Sequence, residues 1–164
     1  MRIGIIGAGH IGGTLARLFL RAGHEVALSN SRGPDSLDEL VHELGEGVRA
    51  TTPAQAAAFG DVVIVSIPFG RYRELPAEAL AEKIVVDTNN YYPDRDGDVP
   101  DLDVERTTSS EMLQAHLAGA QVVKAFNTLY ARWLGEEDEP GHARRRLGIP
   151  SPATTMRPSA WYRG

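Results

Sequence analysis

Three glycines at fixed spacing, Gly7, Gly9 and Gly12 in GAGHIGG, stand between a short apolar run and a segment of helical period. Ile3, Ile5 and Ile6 around Gly4 read as a strand covered on both faces, the pattern of a parallel sheet. Beyond the glycines, Ile11, Leu15, Leu18 and Phe19 recur at helical spacing until Ala22-Gly23 stops the helix. G-x-G-x-x-G alone is a weak signal, but between a strand and a helix it is a specific one. In that setting the first glycine permits the tight turn, the second lets the backbone approach a pyrophosphate, and the third allows helix and strand to pack closely. The helix start then offers N–H groups and the positive end of its dipole to the phosphates. His10 and Ile11, within and just after the loop, are placed beside such a nucleotide.

The rest of the chain keeps alternating. HEVALS reads as a second strand, and a helix is expected from about Ser36 to Leu44. A short strand follows around Val48, and an alanine-rich helix after Thr52-Pro53. DVVIVSIP and KIVVDTNN are β-branched strands separated by a helical stretch near Leu75 to Ala81. SSEMLQAHLAG is a helix whose serine pair is expected at the N-cap, and QVVKAFNT is another strand. Strands alternating with helices imply right-handed crossovers, so the expected fold is α/β, a Rossmann-type doubly wound parallel sheet in a single domain. That domain is assigned to residues 1–134. Residues 135–164, rich in proline, arginine and small polar residues without an apolar period, read as an irregular tail.

The end of the second strand bears on which dinucleotide is bound. An NAD-preferring site usually places Asp or Glu there for the ribose 2′-hydroxyl; this chain has Ser29-Asn30-Ser31-Arg32. A carboxylate would repel a 2′-phosphate, whereas hydroxyl, amide and guanidinium donors hold one through charge-assisted hydrogen bonds. The expected cofactor is therefore NADP(H), with Arg32 as the main 2′-phosphate ligand and Ser31 and Asn30 beside it.

Ligands of open α/β sheets lie outside the carboxyl ends of the strands. Three later strands end there in Ser66-Ile67-Pro68-Phe69, Thr88-Asn89-Asn90-Tyr91 and Ala125-Phe126-Asn127-Thr128. Ser66, Ile67, Pro68, Asn89 and Asn127 are the candidate contacts to the nicotinamide side. No residue presents itself as a general acid or base. The five histidines lack metal spacing and there is no cysteine for a thiolate site. DRDGD, Asp94 to Asp98, lacks the spacing of a calcium loop and reads as a hairpin or turn around Gly97. A net charge of −5 gives no pull toward nucleic acid or anionic membrane. The opening apolar run is too short for a signal segment or a span, so the expected location is the cytoplasm.

GAGHIGG, SNSRGP, SIPFG, DTNNYYPDRDG and VVKAFNT, in that order, resemble the NADPH:coenzyme F-420 oxidoreductase family and its bacterial dinucleotide-binding relatives. The likeness covers Met1 to about Leu134. It implies hydride transfer directly between the nicotinamide and a stacked deazaflavin, coenzyme F-420, with no obligatory side-chain acid or base. It also carries the 2′-phosphate role onto Ser31 and Arg32, and nicotinamide contacts onto Pro68 and Asn89. Members of that family continue with a further strand and helices around the acceptor pocket and dimer contact, where this chain has its tail. A frame-shift near Ser151 and a naturally divergent terminus are both open: with suitable synonymous codons, a frame two bases later reads Ala-Gly-Asp-Asp-Asp-Ala. A missing strand would leave a sheet edge and apolar helix faces uncovered, so a homodimer is expected, with Trp133, Trp161 and Tyr162 available to cover apolar surface. Two functions follow: an NADPH-dependent oxidoreductase with a deazaflavin or flavin-like acceptor, or an NADP(H)-binding module that has lost its acceptor pocket. A small imine or keto-acid reductase ranks last, because nothing in the chain builds a helical substrate domain.

Overall fold

The computed structural model describes residues 1–128, so the tail, the expected domain boundary at 134, Trp133, Trp161 and Tyr162 lie outside the described residues. The strands are β1 (Arg2–Ile6), β2 (Glu25–Ser29), β3 (Val48–Thr51), β4 (Val62–Val65), β5 (Ile84–Asp87) and β6 (Gln121–Lys124). The helices are α1 (His10–Arg21), α2 (Asp38–Leu44), α3 (Pro53–Phe59), α4 (Ala77–Leu80), α5 (Pro93–Asp96), α6 (Pro100–Asp103) and α7 (Ser109–His116). All strand pairs are parallel, in the order β3-β2-β1-β4-β5-β6. The chain thus winds outward from β1 in both directions, the doubly wound arrangement expected from the sequence, with the order reversing between β1 and β4.

Both faces of the sheet are buried, and strand alternation sorts the side chains between them. Ile3 and Ile5 of β1, Val26 and Leu28 of β2 and Ile64 of β4 join Leu15 and Ala16 of α1 in one core cluster. Ile6, Ala27, Val63 and Val65 point the other way, into a second cluster with Ala56 and Ala57 of α3, Leu80 of α4 and Leu113 of α7. Ile5 pairs with Leu28 on one side and Ile64 on the other, so one row of large aliphatics crosses the sheet without exposure to solvent. Gly4 gives α3 its place: a Cβ there would stand 2.2 Å from the carbonyl oxygen of Ala56. Helix α3 therefore lies on the backbone of β1 where any side chain would hold it off.

One local expectation is corrected, one element is added, and of the hairpin or turn expected around Gly97 the turn is found. Helix α7 is capped by Thr108, whose Oγ1 accepts the Glu111 N–H at 3.2 Å while the Glu111 carboxylate accepts the Thr108 N–H at 2.8 Å. The reciprocal cap needs a glutamate three residues on, and that selects Thr108 over the serine pair, which falls in the first turn. Before α4 there is an additional 3-10 turn at Phe69–Glu74, which buries Phe69 and Tyr72 as a stacked pair with centroids 4.9 Å apart. The DRDGD stretch forms the short helix α5; Gly97, at φ +79°, turns the chain after it, and no hairpin arm precedes it. Among the described residues no helix is long and apolar enough to cross a membrane.

Candidate functional site

The strand ends at the carboxyl rim are tied to one another before any side chain contributes. The Gly7 N–H donates to Ser29 O at 2.9 Å and the Ser66 N–H to Ile6 O at 2.8 Å. Thr88 N–H likewise reaches Val65 O, and Ala125 N–H reaches Asp87 O, both at 3.1 Å. These bonds extend the ladder past the strands and bring the β1, β2 and β4 ends to one cleft of about 540 Å³. Gly7, Gly9, Asn30, Ser31, Arg32, Ser66, Ile67 and Pro68, all singled out from sequence, line it. Its other walls, which the sequence reading missed, include Thr52 and Pro53 beyond β3 and Arg71, Glu74 and Leu75 beyond β4.

The glycine loop divides its tasks as the motif implies. Gly7 has φ +111°, and a Cβ on it would lie 1.9 Å from Ser66 O, so it serves both the turn and the approach to β4. A Cβ on Gly12 would lie 1.9 Å from Gly7 O, which ties the start of α1 to the loop. A Cβ on Gly9 would meet nothing within 4 Å: the space before the helix is open. Gly9 is also the N-cap of α1, with no side-chain cap and no acidic residue in the first turn, whereas α3 and α7 are closed by threonine capping boxes. An uncapped, twelve-residue helix facing an open space suits an anion. His10 is exposed on the first turn of α1, and Ile11 packs against the core cluster on the α1 face; neither they nor Gly12 line the cleft.

The loop after β2 is shaped by Asn30. Its Oδ1 accepts the Arg32 N–H at 2.9 Å and its Nδ2 donates to Ser36 Oγ at 2.8 Å, while Ser36 Oγ also donates to Gly33 O at 2.7 Å. Gly33 at φ +96° completes the turn. Asn30 thus spends its amide on the loop and presents Ser31 and Arg32, both exposed, at the cleft. Ser29, by contrast, is buried and donates to Ile5 O. No acidic side chain follows β2 before Asp35.

Asn89 and Asn127 sit farther along the rim and do not line this cleft. Asn89 is held at three points: its N–H by Asp87 Oδ1 at 2.9 Å, its carbonyl by Lys124 Nζ, and its Oδ1 by the Ile67 N–H at 2.9 Å. Because Ile67 N–H can only donate, the amide orientation is fixed, and Asn89 Nδ2 is left buried without a partner. Behind it the buried Asp87 carboxylate is paired with Lys124 at 3.0 Å and accepts Ser110 Oγ at 2.7 Å. Asn127 exchanges bonds with Asn90, its carbonyl accepting Asn90 Nδ2 at 2.9 Å. Phe126 beside it takes φ +61°, an unusual conformation for an aromatic residue. Among the described residues no three His, Cys, Asp or Glu side chains gather as a metal-binding set.

The glycine loop, the loop after β2 and the ends of β4 and β5 lie within a match to the family described as NADP oxidoreductase, coenzyme F420-dependent, over residues 2–91. The chain belongs to this family. Among solved structures, a hypothetical protein of Sinorhizobium meliloti is 34% identical with a TM-score of 0.72, the alignment covering 87% of this chain and 68% of that one. A protein of an Arthrobacter species, provisionally described as an F420-dependent NADP reductase, is 28% identical with a TM-score of 0.70, over 80% of this chain and 64% of that one. The imine reductase of Streptomyces aurantiacus, 23% identical with a TM-score of 0.58, shares the fold over 76% of this chain and 40% of its own. No curated protein matches the chain. The family is one of oxidoreductases that use a nicotinamide dinucleotide, and the uncapped α1, the open space at Gly9 and the cleft fit the phosphates of such a cofactor.

Proposed function

We propose that this member of the family is an NADPH-dependent oxidoreductase that exchanges hydride between NADP(H) and coenzyme F-420 or a flavin-like acceptor. The observation that carries the cofactor choice is the loop after β2. Ser31 and Arg32 line the cleft at the position where an NAD-preferring site carries a carboxylate. A guanidinium and a hydroxyl there favour a 2′-phosphate and gain little from a free 2′-hydroxyl. The acceptor rests on family membership and on the Arthrobacter relative.

In this reading, bound NADPH supplies the hydride, and NADPH, the acceptor and one proton from solvent give NADP⁺ and the reduced acceptor. The chain's own residues bind and orient. The first turn of α1 receives the pyrophosphate, Ser31 and Arg32 the 2′-phosphate, and Ser66, Ile67 and Pro68 bound the cofactor along the end of β4. Asn89, fixed by Asp87, Lys124 and Ile67, offers its free amide N–H group to an acceptor atom on the nicotinamide side. No side chain is required to move a proton.

Calorimetric titration tests this. NADPH should bind at least tenfold more tightly than NADH, and Arg32→Ala should remove most of that difference. Coenzyme F-420 should then bind in the presence of NADP⁺ and be reduced by NADPH, read as loss of deazaflavin absorbance. NADPH binding with neither deazaflavin binding nor reduction would leave an NADP(H)-binding module whose acceptor or partner lies elsewhere. Equal affinity for NADPH and NADH would overturn the cofactor assignment.

A further inference from the structure

Two further charged groups face the cleft opposite the β2 loop. Arg71 and Glu74 lie three residues apart on the 3-10 turn that follows β4, and both line the cleft with Ser31 and Arg32. They are joined as a two-point fork: Arg71 Nε to Glu74 Oε1 at 2.9 Å and Nη2 to Oε2 at 2.5 Å. Their side chains are 45% and 59% exposed, so the pair is no core staple and exposed pairs of this kind contribute little to folding. Phe69 and Tyr72 of the same turn are buried and anchor it, which leaves Arg71 and Glu74 as its outward, cleft-facing side.

We propose that Arg71 is a second guanidinium for the 2′-phosphate of NADP(H), and that Glu74 holds it as an exchangeable partner which the phosphate displaces. This rests on the reading of the cleft as an NADP(H) site. Carboxylate and phosphate are both matched by the same guanidinium fork, and a phosphate monoester carries more charge. The exchange therefore replaces a weak surface pair with a stronger one. While it is latched, Arg71 adds no net positive charge to the cleft.

The position of the pair selects the phosphate. The cleft is lined from the ends of β1, β2, β3 and β4, with Thr52 and Pro53 on the same wall, and neither Asn89 nor Asn127 borders it. It thus runs from the β3 and β2 ends, where the adenosine end belongs, across β1 to the end of β4. The pyrophosphate already has the open N-terminus of α1 at Gly9. The group in this cleft that still calls for cationic partners is the 2′-phosphate, and Arg71 shares the cleft with Ser31 and Arg32.

The test is a double-mutant cycle of Arg71→Ala and Glu74→Gln, read as the dissociation constants of NADPH, NADH and adenosine 2′,5′-bisphosphate, the last carrying only the adenosine half. Arg71→Ala should weaken NADPH and the bisphosphate about tenfold and leave NADH nearly unchanged. Glu74→Gln should tighten both phosphorylated probes about threefold, and the gain should vanish when Arg71 is also alanine. A gain that persists in the double variant would make Glu74 a direct repeller of phosphate and overturn the latch. Equal weakening of NADPH and NADH by Arg71→Ala would move Arg71 to the pyrophosphate and overturn the assignment. If the unaltered protein binds neither NADPH nor the bisphosphate, the NADP(H) reading itself fails and this inference falls with it. If it binds both and every member of the cycle binds alike, only the inference fails. Unchanged thermal midpoints across the set are expected from the exposure of both residues and exclude a folding artefact.

Discussion

A methyl group on Gly7 would enter a left-handed backbone and meet Ser66 O at 1.9 Å, and one on Gly12 would meet Gly7 O at the same distance. A methyl on Gly9 meets open space, at φ −76°, a conformation any residue adopts. The three glycines are therefore separable. Gly7→Ala and Gly12→Ala should destabilise the fold by about 2–4 kcal/mol, measured by denaturant melts, because backbone must move to admit the carbon. Gly9→Ala should keep stability within about 1 kcal/mol and weaken NADPH binding at least tenfold, measured by calorimetry. Unaltered binding in folded Gly9→Ala would mean that no phosphate approaches the loop. The sequence revealed these glycines because their spacing is local. The same holds for Ser31 and Arg32, which follow directly from a strand end. It could not reveal Thr52, Arg71, Glu74 or Leu75, which reach the cleft only because the strand order sets β3 beside β2 and β4 beside β1. Lys124 was equally hidden: its partner Asp87 is on the neighbouring strand, paired in register. Lys124→Met should cost about 3 kcal/mol by leaving the Asp87 carboxylate buried without its cation. Paired with Asp87→Asn, it should cost less than the sum of the two single changes; additive losses in the same melts would deny the coupling.

At the level of elements, the strands were legible because a sheet buried on both faces selects continuous β-branched runs, and VVIV and IVVD are such runs. The turn at Phe69–Glu74 was not, since FGRYRE has no apolar period and its burial comes from Phe69 stacking on Tyr72 and meeting Tyr91 edge-on. The cap of α7 falls on Thr108, the residue just before the serine pair, and chemistry decides it. The Thr108 N–H donates to the Glu111 carboxylate, and the Thr108 and Thr107 hydroxyls add to this, so Glu111 titrates below its ordinary value of 4.5. A carboxylate whose pKa is lowered by folding stabilises the fold when ionised. That stability is fully present well above pH 4.5 and is lost as the pH falls through the lowered value. Thr108→Ala should cost about 1 kcal/mol at neutral pH. Glu111→Gln should flatten the acid limb of a stability–pH profile while leaving its slope near neutrality unchanged. An unaltered acid limb would show that the box does not hold Glu111 ionised.

For the whole molecule, the two core clusters back the central strands from both faces, while the cleft opens at the rim where the strand order reverses. Folding and nucleotide binding are thus coupled through β1, β2 and β4: the loops that would grip phosphate are continuations of buried strands, tied by Gly7 N–H to Ser29 O and Ser66 N–H to Ile6 O. A ligand that binds only the folded chain stabilises it by about 2.7 kcal/mol at a hundred times its dissociation constant. For a domain of this size each kcal/mol moves the midpoint by about 2–4 °C. NADP⁺ at that excess should therefore raise the melting temperature by about 5–10 °C, followed by circular dichroism. NAD⁺ at the same concentration should raise it by clearly less, because its ribose offers Arg32 no phosphate. Arg32→Ala should bring the two shifts together by lowering the NADP⁺ response, since the guanidinium acts on the 2′-phosphate alone. Equal shifts for the two nucleotides in the unaltered protein would mean that the β2 loop does not recognise the 2′-phosphate and would remove the basis for reading this cleft as an NADP(H) site.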